Sequence, residues 1–430
     1  MTCRANSNVT RRASRRGRSL AALRRTLREV FGVEDFRPGQ QQVVEAALAG
    51  RNIVAVMPTG AGKSLCYQLP ALHLPGMTLV ASPLISLMKD QTDKLSERGI
   101  DASQVNSSLT AGETRDAHAS IADDGAEFIL TTPERLADEG FLRMIASKDI
   151  DLFVVDEAHC ISQWGHDFRP AYTKLRTAID AVGRPPVLAL TATAPPDVLA
   201  DITRQLGIED AVVVNTGIFR RNLEYEVRQT PSEAEKQRQL VELLRGWNGG
   251  GIVYVSTLKS VDTVATVLRA AGLDVETYHG RMNRAARRDA QDRFMRGDVH
   301  VMVATNAFGM GVDKPDIRFV VHYSMPGSLD AYYQESGRAG RDGCPARCVL
   351  FYQLEDRRTQ LGFIRRRRIR DAADRQRQER DLAKLERMMQ YAQSVTCRWR
   401  QLVAYFEEDV DWERCGVCDV CRPGPTLLPT

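Results

Sequence analysis

Ile53-Val54-Ala55-Val56-Met57-Pro58-Thr59-Gly60-Ala61-Gly62-Lys63-Ser64 is a run of apolar, largely β-branched residues that breaks into a glycine-rich turn. The apolar part, Ile53–Met57, reads as a buried strand, and Leu65–Leu72 behind the turn reads as a helix. Glycines at 60 and 62 let backbone N–H groups wrap around phosphate oxygens, and the helix N-terminus adds positive potential at the same place. In such a loop Lys63 reaches the outer phosphates of a nucleotide and Ser64 takes Mg²⁺, with Thr59, Gly60, Ala61 and Gly62 forming the cradle. Met57 stands where the eight-residue pattern has its first glycine, so the Gly60-x-Gly62-Lys63-Ser64 core carries the reading. Taken alone, that core is also compatible with an ordinary glycine-rich turn.

A second stretch gives the loop a companion. Leu152–Val155 reads as a buried strand and ends in Asp156-Glu157-Ala158-His159. At the C-terminal end of a parallel strand Asp156 can hold Mg²⁺ through water while Glu157 polarises an attacking water. An acidic strand end with a solvated histidine is the blander alternative, but a phosphate loop upstream needs such a pair of acids.

Around these two stretches the pattern is regular. Leu20, Leu23, Leu27, Val30 and Phe31 return at helical intervals. Strand-like runs at Thr78–Ala81, Phe128–Thr132 and Val187–Leu190 then alternate with helical stretches. After a break at Thr216–Asn222 the alternation resumes with Ile252–Val255, Val275–Tyr278, Val301–Ala304, Phe319–His322 and Cys348–Tyr352. Apolar strands separated by helices predict parallel sheets covered on both faces. The expected class is α/β, with two tandem doubly wound domains at 20–216 and 217–352, a helical cysteine-bearing module at 353–430 and a basic tail at 1–19.

The second domain holds Gln334-Glu335-Ser336-Gly337-Arg338-Ala339-Gly340-Arg341-Asp342-Gly343. Its two arginines, three apart, read as one helical face. Charge spreading over a γ-phosphate during transfer needs a cation, worth on the order of 10³–10⁵ in rate. Arg341 is the expected finger, with Arg338 beside it on the phosphates and Gln334 linked to the same site. Catalysis then requires the domains to close, which turns nucleotide binding into motion.

The composition, 43% hydrophobic and 27% charged, is that of a globular protein, and no apolar run is long enough to span a membrane. The net charge of +4 conceals local crowding of arginine at the start of the chain and again from Arg365 to Arg377. The opening twenty residues read as a disordered basic tail in preference to a transit peptide. The stretch 365–387 reads either as a solvated face or as a phosphate-contacting one, and both readings stay open. Nine cysteines without a secretory signal are no disulfide framework. Cys397 is followed after seventeen residues by Cys415, Cys418 and Cys421, four thiols with the spacing of a closed tetrahedral site. An iron–sulfur run would need another cysteine downstream, where Arg422-Pro423-Gly424-Pro425 stands instead. Cys3, Cys66, Cys160, Cys344 and Cys348 read as plain thiols.

With these residues in place the chain resembles the RecQ helicases of superfamily two, from Phe31 to Cys421. Phe31-Gly32 and Phe36-Arg37-Pro38-Gly39-Gln40 look like the family's adenine-recognition element, implying Arg37 and Gln40 at the base. Ser82–Gln91, Pro133–Leu136, Ala189–Ala194 and the stretch Ala304–Lys314 resemble its further helicase motifs. Ile161-Ser162-Gln163-Trp164-Gly165-His166-Asp167-Phe168-Arg169-Pro170 looks like the aromatic-rich loop that sets this family apart from DEAD-box relatives. The resemblance implies that Trp164, His166, Phe168 and Arg169 meet DNA, the aromatics by stacking on bases and Arg169 at phosphate. It implies Zn²⁺ on Cys397, Cys415, Cys418 and Cys421, and ATP with Mg²⁺ at the phosphate loop. The implied activity is ATP-driven 3′–5′ movement on single-stranded DNA with duplex unwinding, by a monomer acting on single-stranded and forked DNA and needing no membrane, in cytoplasm or nucleus.

The chain departs from the family at Thr257-Leu258, at Gly280-Arg281 and at Arg221, all expected on the DNA-facing side of the second domain. Only nine residues follow Cys421, where many relatives continue with winged-helix and further helical domains. The expectation is a short form that keeps translocation. An RNA helicase, an ATP-switched DNA adaptor and a zinc scaffold are the competing readings. The aromatic-rich loop and four cysteines speak against the first, the intact Lys63, Asp156, Glu157 and Arg341 against the second, and the nucleotide motifs against the third.

Overall fold

A computed structural model of the chain describes residues 19–123, 125–162, 167–309, 312 and 314–422. Two compact units meet in sequence between Ile218 and Phe219. Each is built on a fully parallel sheet.

The first unit contributes β1 (Ile53–Val56), β2 (Met77–Ala81), β3 (Ala102–Val105), β4 (Phe128–Thr131), β5 (Ile150–Val155), β6 (Val187–Thr191) and β7 (Val212–Asn215). They lie in the order β3-β4-β2-β5-β6-β1-β7. Side chains alternate across the pleat, so Val54 and Val56 enter one hydrophobic core while Ile53, Ala55 and Met57 enter another on the opposite face. Burial on both faces explains why the central strands are continuous apolar runs. Strand order places β5 and β1 on either side of β6, so the segments leaving their C-terminal ends emerge close together. Ligands of open α/β sheets bind at such an edge.

The second unit contributes β8 (Leu223–Gln229), β9 (Gly251–Tyr254), β10 (Val275–Tyr278), β11 (Val301–Ala304), β12 (Phe319–His322) and β13 (Ala346–Tyr352), in the order β10-β11-β9-β12-β13-β8. Gly251 sits where a Cβ would lie 2.2 Å from the Phe319 ring, so the neighbouring strand's aromatic occupies the space of its missing side chain. Beyond β13, the helices Leu354–Arg365 and Ala372–Gln393 form an antiparallel pair, followed by the short helix Arg398–Tyr405.

This helical region is tied to the second sheet. Trp399 is buried, its Nε1–H donates to the Leu223 carbonyl at 3.0 Å, and its ring meets Tyr225 edge-on with centroids 4.9 Å apart. The exposed margin of β8 is covered by the cysteine-bearing loop: the Asp419 N–H donates to the Tyr225 carbonyl at 3.0 Å, and the Val227 N–H donates to the Asp419 carboxylate at 3.0 Å. Covering an edge strand in this way satisfies backbone groups that would otherwise be left to solvent or to another chain. Among the described residues no helix is long and apolar enough to cross a membrane.

Two sequence expectations are corrected. The strands β3, β7 and β8 were not among the runs read as strands, and all three lie at sheet edges. There, sequences such as Leu223-Glu224-Tyr225-Glu226 need only one apolar face. Arg338 and Arg341 do not share a helical face: the helix Leu329–Ser336 stops before both. The next residues run through turns, with Gly340 at φ +55° and Gly343 at φ +87°. Glycines at 337, 340 and 343 remove the propensity that would have carried the helix onward.

Candidate active site and metal centre

The phosphate loop leaves β1 and runs into the helix Leu65–Ala71. Gly60 and Gly62 take φ values of +85° and +79°, a left-handed conformation that costs glycine little and other residues more. Lys63 Nζ donates to the carbonyl of Met57, the loop's own first residue, at 3.1 Å. Ser64 Oγ accepts a hydrogen bond from Gln91 Nε2 at 3.2 Å, and Gln91 in turn accepts one from the buried Tyr67 hydroxyl at 2.8 Å. Gln91 ends the stretch Ser82–Gln91, which is thereby joined to the loop.

Arg37 and Gln40 lie against the same loop. Gln40 Nε2 donates to the carbonyls of Ala61 at 2.9 Å and Gly62 at 3.1 Å, and Arg37 donates to the carbonyl of Gly60. A Cβ at position 62 would come within 2.6 Å of Gln40 Nε2, so a side chain there would displace that amide from the loop, and the φ of +79° itself favours glycine.

Asp156 and Glu157 follow β5. Asp156 is buried and accepts from Ser82 Oγ at 3.0 Å, while its carbonyl accepts from the buried Tyr172 hydroxyl at 2.8 Å. Burial, and then the neighbouring Glu157 charge, push the Asp156 carboxyl above the usual carboxylate range, against the pull of Lys63 and the Ser82 hydrogen bond. A buried carboxylate so placed, within the influence of Lys63 and bonded to Ser82, fits a divalent cation, which would compensate the buried charge. Glu157 adopts φ +49°, an uncommon conformation for a non-glycine residue. His159 is buried, with Nδ1 3.0 Å from Thr191 Oγ1 and 3.5 Å from the Glu157 carboxylate. The acid pair is therefore joined through His159 to the stretch Ala189–Ala194.

A groove of about 640 Å³ in the same unit is lined by Pro83, Asn106, Thr132, Arg135 and Arg169, among others. It draws together the stretches Ser82–Gln91 and Pro133–Leu136 and the end of the aromatic-rich loop. Arg169 is half-buried and paired with Asp167 at 3.0 Å, and Phe168 is half-buried. Trp164 and His166 lie outside the described residues.

In the second unit the arginine turn is held from beneath. Arg220 donates to the carbonyls of Gly337 at 2.8 Å, Ala339 at 2.9 Å and Gly340 at 2.5 Å, and Asn222 donates to those of Gly340 at 2.8 Å and Cys344 at 2.9 Å. Arg338 donates to the carbonyl of Gly309, and the Tyr254 hydroxyl donates to that of Phe308 at 2.7 Å. Gln334 stands on the preceding helix. In the sequence this segment stands out only through Arg221, the departure from the family expected to face DNA. Arg220 and Asn222 instead turn inward onto the arginine turn, while Arg221 is exposed. One arginine beside one asparagine carries no pattern that could have announced this.

Cys397, Cys415, Cys418 and Cys421 bring their sulfurs within 4.8 Å of one another. Cys415 and Cys421 are 3.8 Å apart, and Cys418 and Cys397 4.0 Å. These separations are too long for disulfides and match the edge of about 3.8 Å of a tetrahedron with metal–sulfur bonds of about 2.3 Å. Backbone N–H groups of Cys415 and Val417 point at the sulfurs of Cys397 and Cys415, each at 3.4 Å, as thiolate ligands favour. Arg398 beside the first ligand makes a partly buried ion pair with Asp419 at 2.9 Å, which braces the site. Neither residue was singled out from sequence. The four cysteines fit Zn²⁺.

Comparison with known families agrees with this arrangement. Residues 37–202 match the DEAD/DEAH box helicase family, 235–343 the helicase conserved C-terminal domain and 354–422 the RecQ zinc-binding family. The ATP-dependent DNA helicase RecQ of Bacillus subtilis is 40% identical over 397 residues, covering 92% of this chain and 66% of that protein. The probable ATP-dependent DNA helicase RecS of the same organism is 40% identical over 359 residues, covering 82% of this chain and 72% of its own length. The helicase Lhr of Mycobacterium smegmatis, solved bound to ssDNA and AMP-PNP, superposes with a TM-score of 0.65 at 19% identity over 83% of this chain and 50% of that one, a likeness of fold. The chain thus spans a little under two thirds of the length of the Bacillus RecQ relative it matches. Two RecA-like domains, a nucleotide loop with its acid pair and a four-cysteine zinc centre, in this order and at this identity, make the chain a member of the RecQ family of helicases.

Proposed function

We propose that this chain is an ATP-driven DNA helicase that moves 3′ to 5′ along single-stranded DNA, opens duplex ahead of it, and serves DNA repair and recombination. ATP with Mg²⁺ sits on the phosphate loop, with Lys63 on the outer phosphates, Ser64 and Asp156 on the metal and Glu157 on the attacking water. Arg37 and Gln40 release the loop carbonyls they hold and turn to the adenine. Arg341 of the second domain supplies the finger, with Arg338 and Gln334 beside it, so hydrolysis and domain closure are one event. Single-stranded DNA runs along the first domain past Phe168 and Arg169, with Trp164 and His166 on the same loop, and single-stranded and forked DNA are the substrates.

The observation that carries this reading is the convergence of loop, acid pair and Gln91 at the C-terminal edge of one parallel sheet, where His159 links the acids to the neighbouring stretch at Thr191. The test is ATP turnover with and without single-stranded DNA, followed by unwinding of partial duplexes carrying a 3′ or a 5′ overhang. DNA is expected to stimulate turnover strongly, the 3′ overhang alone to be unwound, and Lys63→Ala to abolish both. Equal stimulation by RNA of the same sequence sinks the DNA assignment, and unwinding from the 5′ overhang sinks the polarity.

A further inference from the structure

The helix Leu354–Arg365 passes into Ala372–Gln393 through a turn whose sequence, Ile364-Arg365-Arg366-Arg367-Arg368-Ile369-Arg370, holds five arginines in seven residues and no carboxylate. All five arginines are exposed. Arg367 pairs with Asp381, but among the described residues the guanidinium groups of Arg365, Arg366, Arg368 and Arg370 meet no carboxylate. The nearby acids are already engaged in capping: Asp371 accepts from the Asp374 N–H at 2.8 Å, and Asp374 from the Arg370 N–H at 3.0 Å.

Helix electrostatics does not account for the cluster. Arg365 closes the first helix, where a cation is favoured by about 0.3–1 kcal/mol. Arg368 and Arg370 lie just before the N-terminus of the second helix, where the same dipole disfavours positive charge. Charges this close in sequence lie within a Debye length of about 8 Å and repel one another. Apart from the Arg367–Asp381 pair, the cluster meets no counter-charge among the described residues, so it is suited to an external anion.

The residue type narrows the anion. Every cation in the turn is arginine, whose planar fork grips phosphate oxygens in pairs. Phe363 and Ile369, exposed at 40% and 43%, stand among them and offer apolar contact to sugar or base. The turn lacks the broad apolar face by which amphipathic helices enter lipid. We infer that the arginine-rich turn between the helices Leu354–Arg365 and Ala372–Gln393 is a docking surface for the sugar–phosphate backbone of DNA, additional to any strand path along the two RecA-like domains. The inference rests on the proposed action of this chain on DNA.

The test compares the full chain with R365A/R366A/R368A/R370A and with lysine at the same four positions. The probe is a fluorescein-labelled forked oligonucleotide, titrated without nucleotide between 50 and 200 mM salt. Each phosphate contact contributes roughly 0.7–0.9 to the slope of log affinity against log salt. The alanine variant is expected to lose about 2–3 of that slope and about tenfold or more in affinity, the lysine variant to keep the slope, and turnover without DNA to stay unchanged in both. An alanine variant with wild-type affinity and slope overturns the assignment. So does one that keeps the fork but loses binding to phosphatidylserine vesicles. If DNA fails to stimulate the unsubstituted chain, the functional reading fails; if stimulation is intact and the alanine variant binds normally, this inference alone fails.

Discussion

Arg341→Ala is expected to lower DNA-stimulated ATP turnover by on the order of 10³–10⁵ while leaving ATP affinity and the melting midpoint close to wild type. The size follows from the chemistry. In the transition state charge spreads over the γ-phosphoryl oxygens, and a guanidinium placed there acts on that charge far more than on the ground state. The geometry adds a graded companion. The backbone that carries Arg341 is held by Arg220 and Asn222, which donate to the carbonyls of Gly337, Ala339, Gly340 and Cys344. Hydrogen bonds from a charged donor are worth about 1.5–3 kcal/mol, so Arg220→Ala should cost turnover less than Arg341→Ala and should also lower the melting midpoint. Steady-state kinetics with single-stranded DNA at saturation separates the two. An Arg341→Ala enzyme within tenfold of wild type removes the finger from the account.

Removing the zinc is expected to act on structure first. Small zinc modules draw about 10–16 kcal/mol from metal binding, more than the stability of most domains, so Cys418→Ser or strong chelation should unfold the cysteine loop. The damage should spread, because that loop covers the margin of β8 through Asp419 and the adjacent helix buries Trp399 against Tyr225. The expected signature is a fall in bound zinc to near zero, a red shift of tryptophan emission and a lower melting transition for the second unit, with ATP binding by the first unit retained. A chelated chain that keeps its emission maximum and its transition contradicts the structural role given to the metal.

How far the sequence could be read depended on what each residue had to satisfy. Central strands such as Ile53–Val56 and Leu152–Val155 are buried on both faces, and burial writes itself as an apolar run. Edge strands β3, β7 and β8 answer to one face only, and Glu224, Glu226 and Arg228 on β8 hid it. The phosphate loop, the acid pair and the four cysteines were legible because each is a local pattern fixed by one ligand's chemistry. Arg220, Asn222 and Asp419 were not: Arg220 and Asn222 donate to backbone carbonyls remote in sequence, Asp419 accepts from the remote Val227 N–H and from Arg398, and such contacts leave no trace in residue type. The arginine turn was misread as helix because spacing of three suits a helical face, whereas the glycines between decide for turns. The inward turn of Arg37 and Gln40 onto the loop carbonyls likewise had no sequence signal.

The proposed function requires one nucleotide to be gripped by both RecA-like domains. Its most direct test is a structure of the chain trapped with ADP–beryllium fluoride, Mg²⁺ and a single-stranded oligonucleotide. Lys63 Nζ and the Arg341 guanidinium are both expected within hydrogen-bond distance of the fluoride that stands for the γ-phosphate. A trapped complex with Lys63 on that group and Arg341 turned to solvent or to another cavity would contradict it.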